Sequence, residues 1–475
     1  MARYITTTLP YVNADPHVGH ALEYVQADAY ARAARLRGED VFFNTGVDEH
    51  GQKIFQAAEK AGQSVQGYVD HYAAEFKKLK GALGLSNDAF VRTTDPAHIA
   101  AAQELWRRCE ANGDIYKKKY KGLYCVGDEM FLREGDLVEG KCPNHPNMEP
   151  AEIEEENYFF ALSKYQDYLT EYLSRPGVVV PQWRRQEALN FIKGGLDDVS
   201  ISREAKRLSW GIPVPGDESQ VMYVWFDALA NYISTLSWPG DTEGNFEKFW
   251  TKGETIQFAG KDQLRFQSVL WQAMLKSAGL KATDSVFYHG FITSGGQKMS
   301  KSLGNVINPL DLVAEYGTDA VRYLLLRHVS PTEDSDLTLD AIRGHYIAHL
   351  TNGLGNLVAR VMKLAETHLP EPIERPESEP FPQAYWDALD AFEFNKAMDL
   401  VWTRIAALDE RITAEKPFSV VKEDPEKGKA MIRELARELY TIARLLNPFM
   451  PATNAAIKAA ILTNRKPENL FPRLV

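Results

Sequence analysis

At 475 residues the chain is long enough for about three domains. With 44% hydrophobic and 25% charged residues it has the composition of an ordinary globular enzyme rather than a disordered or fibrous chain. The net charge, 54 − 65 = −11, argues against a uniformly basic surface for nucleic acid but leaves a local binding face open. Three cysteines exclude a disulfide framework. The lack of a transmembrane-length apolar run or a signal-peptide pattern predicts a protein of the reducing cytoplasm with no membrane partner.

Tyr4-Ile5-Thr6-Thr7-Thr8 is aromatic and β-branched, which predicts a buried strand. Leu9–Pro16 interrupts it with two prolines. From His17 an apolar pattern with helical spacing runs through Leu22, Val25, Ala29 and Ala33, so His17-Val18-Gly19-His20 falls where a helix begins. Such an end carries partial positive charge and unpaired N–H groups, which suits a phosphate. Val41-Phe42-Phe43 predicts the next strand, with Thr45–Gly51 at its carboxyl end. Alternating strands and helices predict a parallel α/β sheet that binds ligands at the carboxyl ends of its strands. No G-x-G-x-x-G fingerprint supports a dinucleotide site.

Residues 115–185 differ in character: they hold Lys117-Lys118-Lys119, Cys125, Asp128, Cys142 and His145 and few long helical patterns, as an insertion would. The α/β pattern resumes near Gln186. Thr255–Phe258 reads as a strand ahead of Gly260-Lys261-Asp262, and Val286–His289 as another ahead of Gly295-Gly296 and Lys298-Met299-Ser300-Lys301-Ser302. After about Ser335 the chain reads as helical. Phe394, Met398, Val401, Ile405, Leu408 and Ile412 form one apolar stripe, and Ile432, Leu435, Leu439, Ile442 and Leu446 another, with Leu369–Pro382 as a loop. The expected layout is a catalytic half over 1–114, an inserted domain over 115–185, the second catalytic half over 186–335 and a helical bundle over 336–475. The bundle is nearly neutral, with 18 Lys and Arg against 20 Asp and Glu.

Each short motif alone has an ordinary explanation, a turn with two surface histidines or a solvated lysine loop. Together, in this order and context, two imidazoles and two ammonium groups make a cationic cradle for a triphosphate. They resemble the HIGH and KMSKS signatures of class I aminoacyl-tRNA synthetases. Leu9-Pro10-Tyr11-Val12-Asn13, Thr45–Gly51, Val224–Tyr232 and Gly260-Lys261-Asp262 extend the resemblance, over the whole chain, to the methionyl-tRNA synthetase family. The 278 positions from His20 to Lys298 leave no room for the large editing domain of the leucine, isoleucine and valine enzymes.

The resemblance implies a Rossmann-like parallel-sheet catalytic domain, an inserted connective domain of zinc-knuckle type and an all-α anticodon-binding bundle. It implies ligation of L-methionine to its tRNA at the expense of ATP, with Mg2+ accompanying the triphosphate. By that resemblance His17, His20, Lys298 and Lys301 are the catalytic groups, and Gly19, Gly260, Asp262 and Ile292 complete the ATP site. Leu9, Tyr11, Asp48, Arg203, Trp225, Ala228, Leu229, Tyr232, Phe266 and Gln267 form the methionine site. Asp48 would hold the α-ammonium and Arg203 the carboxylate. Read without the family, Asp48 is equally a helix N-cap before Gly51, Asp262 a loop carboxylate, Arg203 a solvated cation, and Trp225 and Tyr232 ordinary core.

Three departures from the family pattern stand out. Gln267 replaces a usual histidine, beside Gln263 where an aliphatic residue is common. In the insertion, Cys125, Asp128, Cys142 and His145 either ligate one structural zinc or leave two buried thiols in a knuckle held by packing. In the bundle, Asn356 and Arg360 match the anticodon readers, and Phe418 stands where a Trp is usual; a Phe still stacks on a base. An exposed helical pair is the plain alternative for Asn356 and Arg360. The chain ends at Val475, soon after the bundle, which predicts a monomer with modest, salt-sensitive tRNA affinity. The competing functional readings are a class I synthetase for another apolar amino acid, a small adenylyltransferase, and a non-catalytic tRNA-binding paralogue.

Overall fold

The computed structural model describes residues 1–125, 130–132, 135, 137–143, 146–299, 305–376 and 380–474, without the side chains of Met130, Phe131, Ile153 and Lys298. The chain divides into two compact units. One comprises Met1–Pro16, Glu39–Lys78 and Asn87–Tyr288, the other His17–Gly38, Leu79–Ser86 and His289–Val475.

The first unit is built on a six-stranded sheet in the order Ala89–Arg92, Asp40–Val47, Ala2–Thr6, Glu254–Gly260, Ser285–His289, Val179–Val180. Ala2–Thr6 pairs in parallel with both neighbours, Ile5 standing opposite Ile256 on one side and Phe43 on the other. The expected parallel α/β architecture is present. Tyr4, Ile5, Phe43, Phe258, Val286 and Phe287 have no exposed surface. A sheet covered on both faces has no solvated side, and its strands accordingly read as apolar and β-branched runs rather than as alternation. Gly46 lets two strands approach, since a Cβ there would stand 2.3 Å from the Val91 carbonyl oxygen.

Residues after Ala111 leave the parallel pattern. Ile115–Cys125 pairs antiparallel with Ala151–Phe160, from Ile115 opposite Phe160 to Tyr124 opposite Ala151. The lysine run lies in this ribbon against acidic neighbours: Lys121 meets Glu152 at 2.6 Å and Lys117 meets Asp217 at 2.9 Å. Lys117 also lies 3.8 Å from Glu156 across the ribbon, so the first lysine of the run is paired with acids on two strands. Two very short strands cross the expected boundary at 185. Val179–Val180 closes the edge of the parallel sheet, and Val199–Ser200 the edge of the antiparallel one. Two residues carry no periodicity to read. Cys125 and Cys142 are buried in one small cluster with Leu132. Asp128 and His145, the other expected zinc ligands, lie outside the described residues.

The second unit is largely helical. The two apolar stripes are buried on Phe394–Glu415 and Pro425–Leu446, as their spacing requires. At its centre Arg322 pairs with Asp28 at 2.7 Å, neither side chain exposed. Arg322 also donates to the carbonyls of Phe449, Pro448 and Leu83, and Asp28 accepts from Arg32 and from the Ser86 backbone and hydroxyl. The four carboxylate lone pairs of Asp28 and four of the five N–H protons of Arg322 have partners, close to the condition under which a buried ion pair is tolerated. Burial alone would raise the Asp28 carboxyl; Arg322 and Arg32 outweigh it and hold it below its ordinary range. Among the described residues no helix is long and apolar enough to cross a membrane.

Candidate functional site

The helix Val18–Leu36 begins with a reciprocal cap made by two histidines. His17 Nδ1 accepts from the Gly19 N–H at 3.1 Å, and the His17 N–H donates to His20 Nδ1 at 3.1 Å. The rings stack at 3.7 Å between centroids. Gly19 makes this possible, because a Cβ there would stand 2.9 Å from the His17 ring. Burial pulls the His17 imidazole down to about 4, and burial together with His17 and His289 lowers His20 well below its usual range. Both rings are neutral at physiological pH. With each Nδ1 accepting, the ring proton sits on Nε2, which makes each Nε2–H a donor without net charge. Two rings stacked this closely do not both hold a proton, so the positive charge of the expected cradle falls to the lysines and the helix end.

Within the same unit, His289 and Ile307, which lie before and after the lysine motif in the sequence, are both bonded to this helix. The Val18 N–H donates to the Ile307 carbonyl at 2.9 Å, and His289 Nε2 meets Glu23 at 2.8 Å. His289 Nδ1 also faces the Gly290 carbonyl at 2.8 Å. Ile292–Ser294 pairs antiparallel with Gln297–Lys298 across Gly295 and Gly296, whose φ values are 63 and 72. Positive φ at both central residues gives the tight hairpin that two glycines permit. Asp336 holds the turn by accepting from the Gly296 N–H at 2.8 Å and the Thr293 hydroxyl at 2.9 Å. Ile292 is buried at the hairpin's start. The Lys298 side chain and Ser300, Lys301 and Ser302 lie outside the described residues.

In the first unit, Asp48 follows Asp40–Val47 at the carboxyl end of the sheet. Its N–H donates to the Pro10 carbonyl at 2.9 Å, and its own carbonyl accepts from Val12 at 3.2 Å, so Leu9–Val12 runs beside it. Asp48 is not a helix cap; Gly51 holds that position for Gln52–Lys60. Its carboxylate, 3% exposed, meets the His50 N–H at 3.4 Å. Trp225 Nε1 donates to the Tyr11 hydroxyl at 3.0 Å, and Phe266 packs against Trp225. Ala228 and Leu229 continue the Trp225 helix, Val224–Leu229. Gln267 Nε2 donates to the Tyr232 hydroxyl, both buried. Gln267 thus keeps a polar contact to the pocket tyrosine.

Arg203 is buried rather than solvated. Nη1 donates to the Ser202 carbonyl at 2.7 Å and the Ser200 hydroxyl at 3.0 Å, and its guanidinium lies 4.5 Å from the Tyr223 ring. With Trp225 and Phe266 it lines a cavity of about 480 Å³. Gly260 ends its strand, and Asp262 follows it in an exposed turn, accepting from Gln263 Nε2 at 2.9 Å.

Sequence reasoning missed a buried charged group on the Trp225 helix. Asp227, fully buried, lies 3.2 Å from His50 and 3.6 Å from His98. Burial alone would raise its carboxyl; His50 and His98 outweigh that and lower it. His98 also meets the Ser234 hydroxyl at 3.1 Å. Two of the three residues lie in segments the sequence singled out, Thr45–Gly51 and Val224–Tyr232, and their pairing was the available signal.

In the bundle, Arg360 and Phe418 line one cavity of about 420 Å³ with Lys363 and Lys466. Phe418 is 44% exposed, and Asn356 is exposed one turn before Arg360 on Asn356–His368. Arg360 pairs with Asp409.

The family model for class I tRNA synthetases (M) matches residues 3–153 and 145–362, and that for the anticodon-binding domain of methionyl tRNA ligase matches 379–471. A methionine–tRNA ligase of Mesorhizobium japonicum is 40% identical over 96% of this chain and 90% of its own length. One from Fusobacterium nucleatum is 38% identical over 98% of this chain and 75% of its own. The Mycobacterium tuberculosis methionyl-tRNA synthetase in complex with methionyl-adenylate superposes with a TM-score of 0.89. It is 35% identical and covers 100% of this chain and 99% of its own.

Proposed function

The chain belongs to the methionyl-tRNA synthetase family, and from that membership we infer that it ligates methionine to tRNA in two steps. The methionine carboxylate attacks the α-phosphate of ATP, giving methionyl-adenylate and pyrophosphate. The methionyl group then passes to the terminal ribose of tRNA. No covalent enzyme intermediate is needed; positioning and charge stabilisation carry the rate.

The roles we propose for individual residues rest on the family resemblance, with support from the local geometry. Neutral His17 and His20 offer Nε2–H donors to the phosphates, at a helix end already biased toward anions. Lys298 and Lys301 are proposed to hold the β- and γ-phosphates, with Mg2+ carried in on the triphosphate. Asp262 is proposed for the ribose, with Gly260 and Ile292 beside the nucleotide. For methionine, Asp48 is the proposed partner of the α-ammonium and Arg203 of the carboxylate. Leu9, Tyr11, Trp225, Ala228, Leu229, Tyr232, Phe266 and Gln267 are proposed to enclose the thioether chain. The Gln267–Tyr232 hydrogen bond supports this reading, since it orients a hydroxyl inside an otherwise apolar wall. Asn356, Arg360 and Phe418 are proposed to read the anticodon of tRNA(Met): Arg360 and Phe418 share one cavity, a cation beside an exposed ring. The two buried thiols of Cys125 and Cys142 fit a structural zinc, which Asp128 and His145 would complete; bound there it would cross-link the ribbon.

The observation that supports the reading is the hydrogen bond that joins the His17–His20 helix, through Val18, to Ile307 in the chain beyond the lysine motif. The test is ATP–pyrophosphate exchange with each proteinogenic amino acid, without tRNA. Exchange driven by methionine alone is expected. Exchange driven by another amino acid would sink the methionine assignment, and none at all would favour a non-catalytic paralogue.

A further inference from the structure

Three histidines of the second unit converge outside every site described above. His328 caps the carboxyl end of Thr318–Arg327. His345 ends Leu339–His345, and His349 lies one turn further along the continuing helix Tyr346–Gly355. Residues four apart on a helix share a face. The His328 and His345 rings stack at 3.7 Å, with His349 at 5.3 Å and 5.5 Å from them. One ring nitrogen from each lies within 4.8 Å of the others.

Arg327 stands beside the rings, its charge offset by Asp399 at 2.9 Å. The Tyr323 hydroxyl lies 2.7 Å from His349 Nδ1 and 2.8 Å from His328 Nε2, and accepts from Arg327 Nη1 at 2.8 Å, so it accepts from one of these rings and donates to the other. A ring N–H that donates in this way fixes an imidazole ligand with its other nitrogen free for a metal ion.

We propose that His328, His345 and His349 form a binding site for one divalent transition-metal ion of the zinc and copper class, with a further coordination position open to water. Neutral imidazoles suit these ions, whereas Mg2+ and Ca2+ require oxygen ligands. Metal–nitrogen distances of about 2.0–2.1 Å bring tetrahedral ligands to about 3.3 Å apart, so the stacked His328 and His345 rings must splay for both lone pairs to meet one ion. The ion pins the end of Thr318–Arg327 to the helix that carries Asn356 and Arg360. His349 lies about 10 Å along that helix from Asn356.

The test uses the full chain stripped of metal with a chelator and titrated with Co2+, read by absorption and calorimetry. The wild type is expected to bind one more ion than the His345→Ala/His349→Ala variant. That ion should show ligand-field bands without a thiolate-to-cobalt charge-transfer band, which separates it from any ion at Cys125 and Cys142. His345→Ala alone should weaken it at least about tenfold, and Tyr323→Phe about 10–100-fold, the usual cost of an outer partner. Methionine-driven pyrophosphate exchange should be unchanged in His345→Ala. Equal stoichiometry in the wild type and the double variant would overturn the site. Should the double variant fail to fold, Cu2+ bound to the wild type decides: spin-resonance coupling to three imidazole nitrogens supports the site, and its absence removes it.

Discussion

Tyr232 and Gln267 in the proposed methionine pocket are 1% and 3% exposed and hydrogen-bonded to each other, whereas Phe418 on the bundle is 44% exposed beside a half-buried Arg360. The difference follows from what each would recognise. A small apolar side chain offers few contacts, so it must be selected in a dry pocket whose polar groups are already satisfied. A base arrives on a macromolecule with its own charge and stacking surface, so an exposed ring and nearby cations suffice. Substitutions in the two regions should therefore fail differently.

The largest effect is expected at Asp227. Asp227→Asn removes the only carboxylate described between His50 and His98, and loss of one partner from such a buried cluster costs about 3–5 kcal/mol. Chemical denaturation should show that loss, and methionine-driven exchange should fall with it. A variant as stable as the wild type would show that Asp227 does not brace the pocket. On the bundle, Phe418→Ala should lower kcat/KM for tRNA by about 1–3 kcal/mol of stacking, roughly 5–150-fold. Pyrophosphate exchange and the melting temperature should not change, and Phe418→Trp should restore or exceed wild-type charging. A loss of exchange in Phe418→Ala would erase the contrast.

A smaller effect is expected within the pocket. Gln267→Leu takes the donor from the buried Tyr232 hydroxyl, worth about 1–3 kcal/mol. It should raise KM for methionine and narrow the preference for methionine over norleucine in exchange assays, leaving tRNA affinity intact. The mildest test is pH. His17 has its proton affinity lowered on folding, to about 4 from an ordinary 6.5, so the unfolded chain takes up protons first as pH falls. Stability should decline between about pH 6.5 and 4, as followed by thermal melts. Above that window exchange should show no acid limb from His17 or His20, because both rings are already neutral. A limb near 6.5 that disappears in His17→Asn would contradict the neutral-donor role.

Much of this molecule was legible in order along the chain. Strand Ala2–Thr6 and the helix after His17 follow from β-branched residues, prolines and an apolar repeat, because those signals are local. The bundle stripes were equally plain, since a helix buries one face at a fixed period. The Gly295–Gly296 turn could be read from its residue types alone. The Lys117–Lys119 run was harder, because Asp217, which pairs with Lys117, lies 100 positions away on another sheet and cannot be paired by inspection.

By itself, then, the sequence determined the element types, the chemical inventory of the candidate sites and their order. Tertiary structure alone decided protonation and partnership. It made His17 and His20 neutral by stacking and burial, placed Asp227 between histidines 177 and 129 positions away (227 − 50 and 227 − 98), and gathered His328, His345 and His349 around one point. The physical reason is that a residue's charge depends on local desolvation and on neighbours brought together by packing, neither of which has a period along the chain.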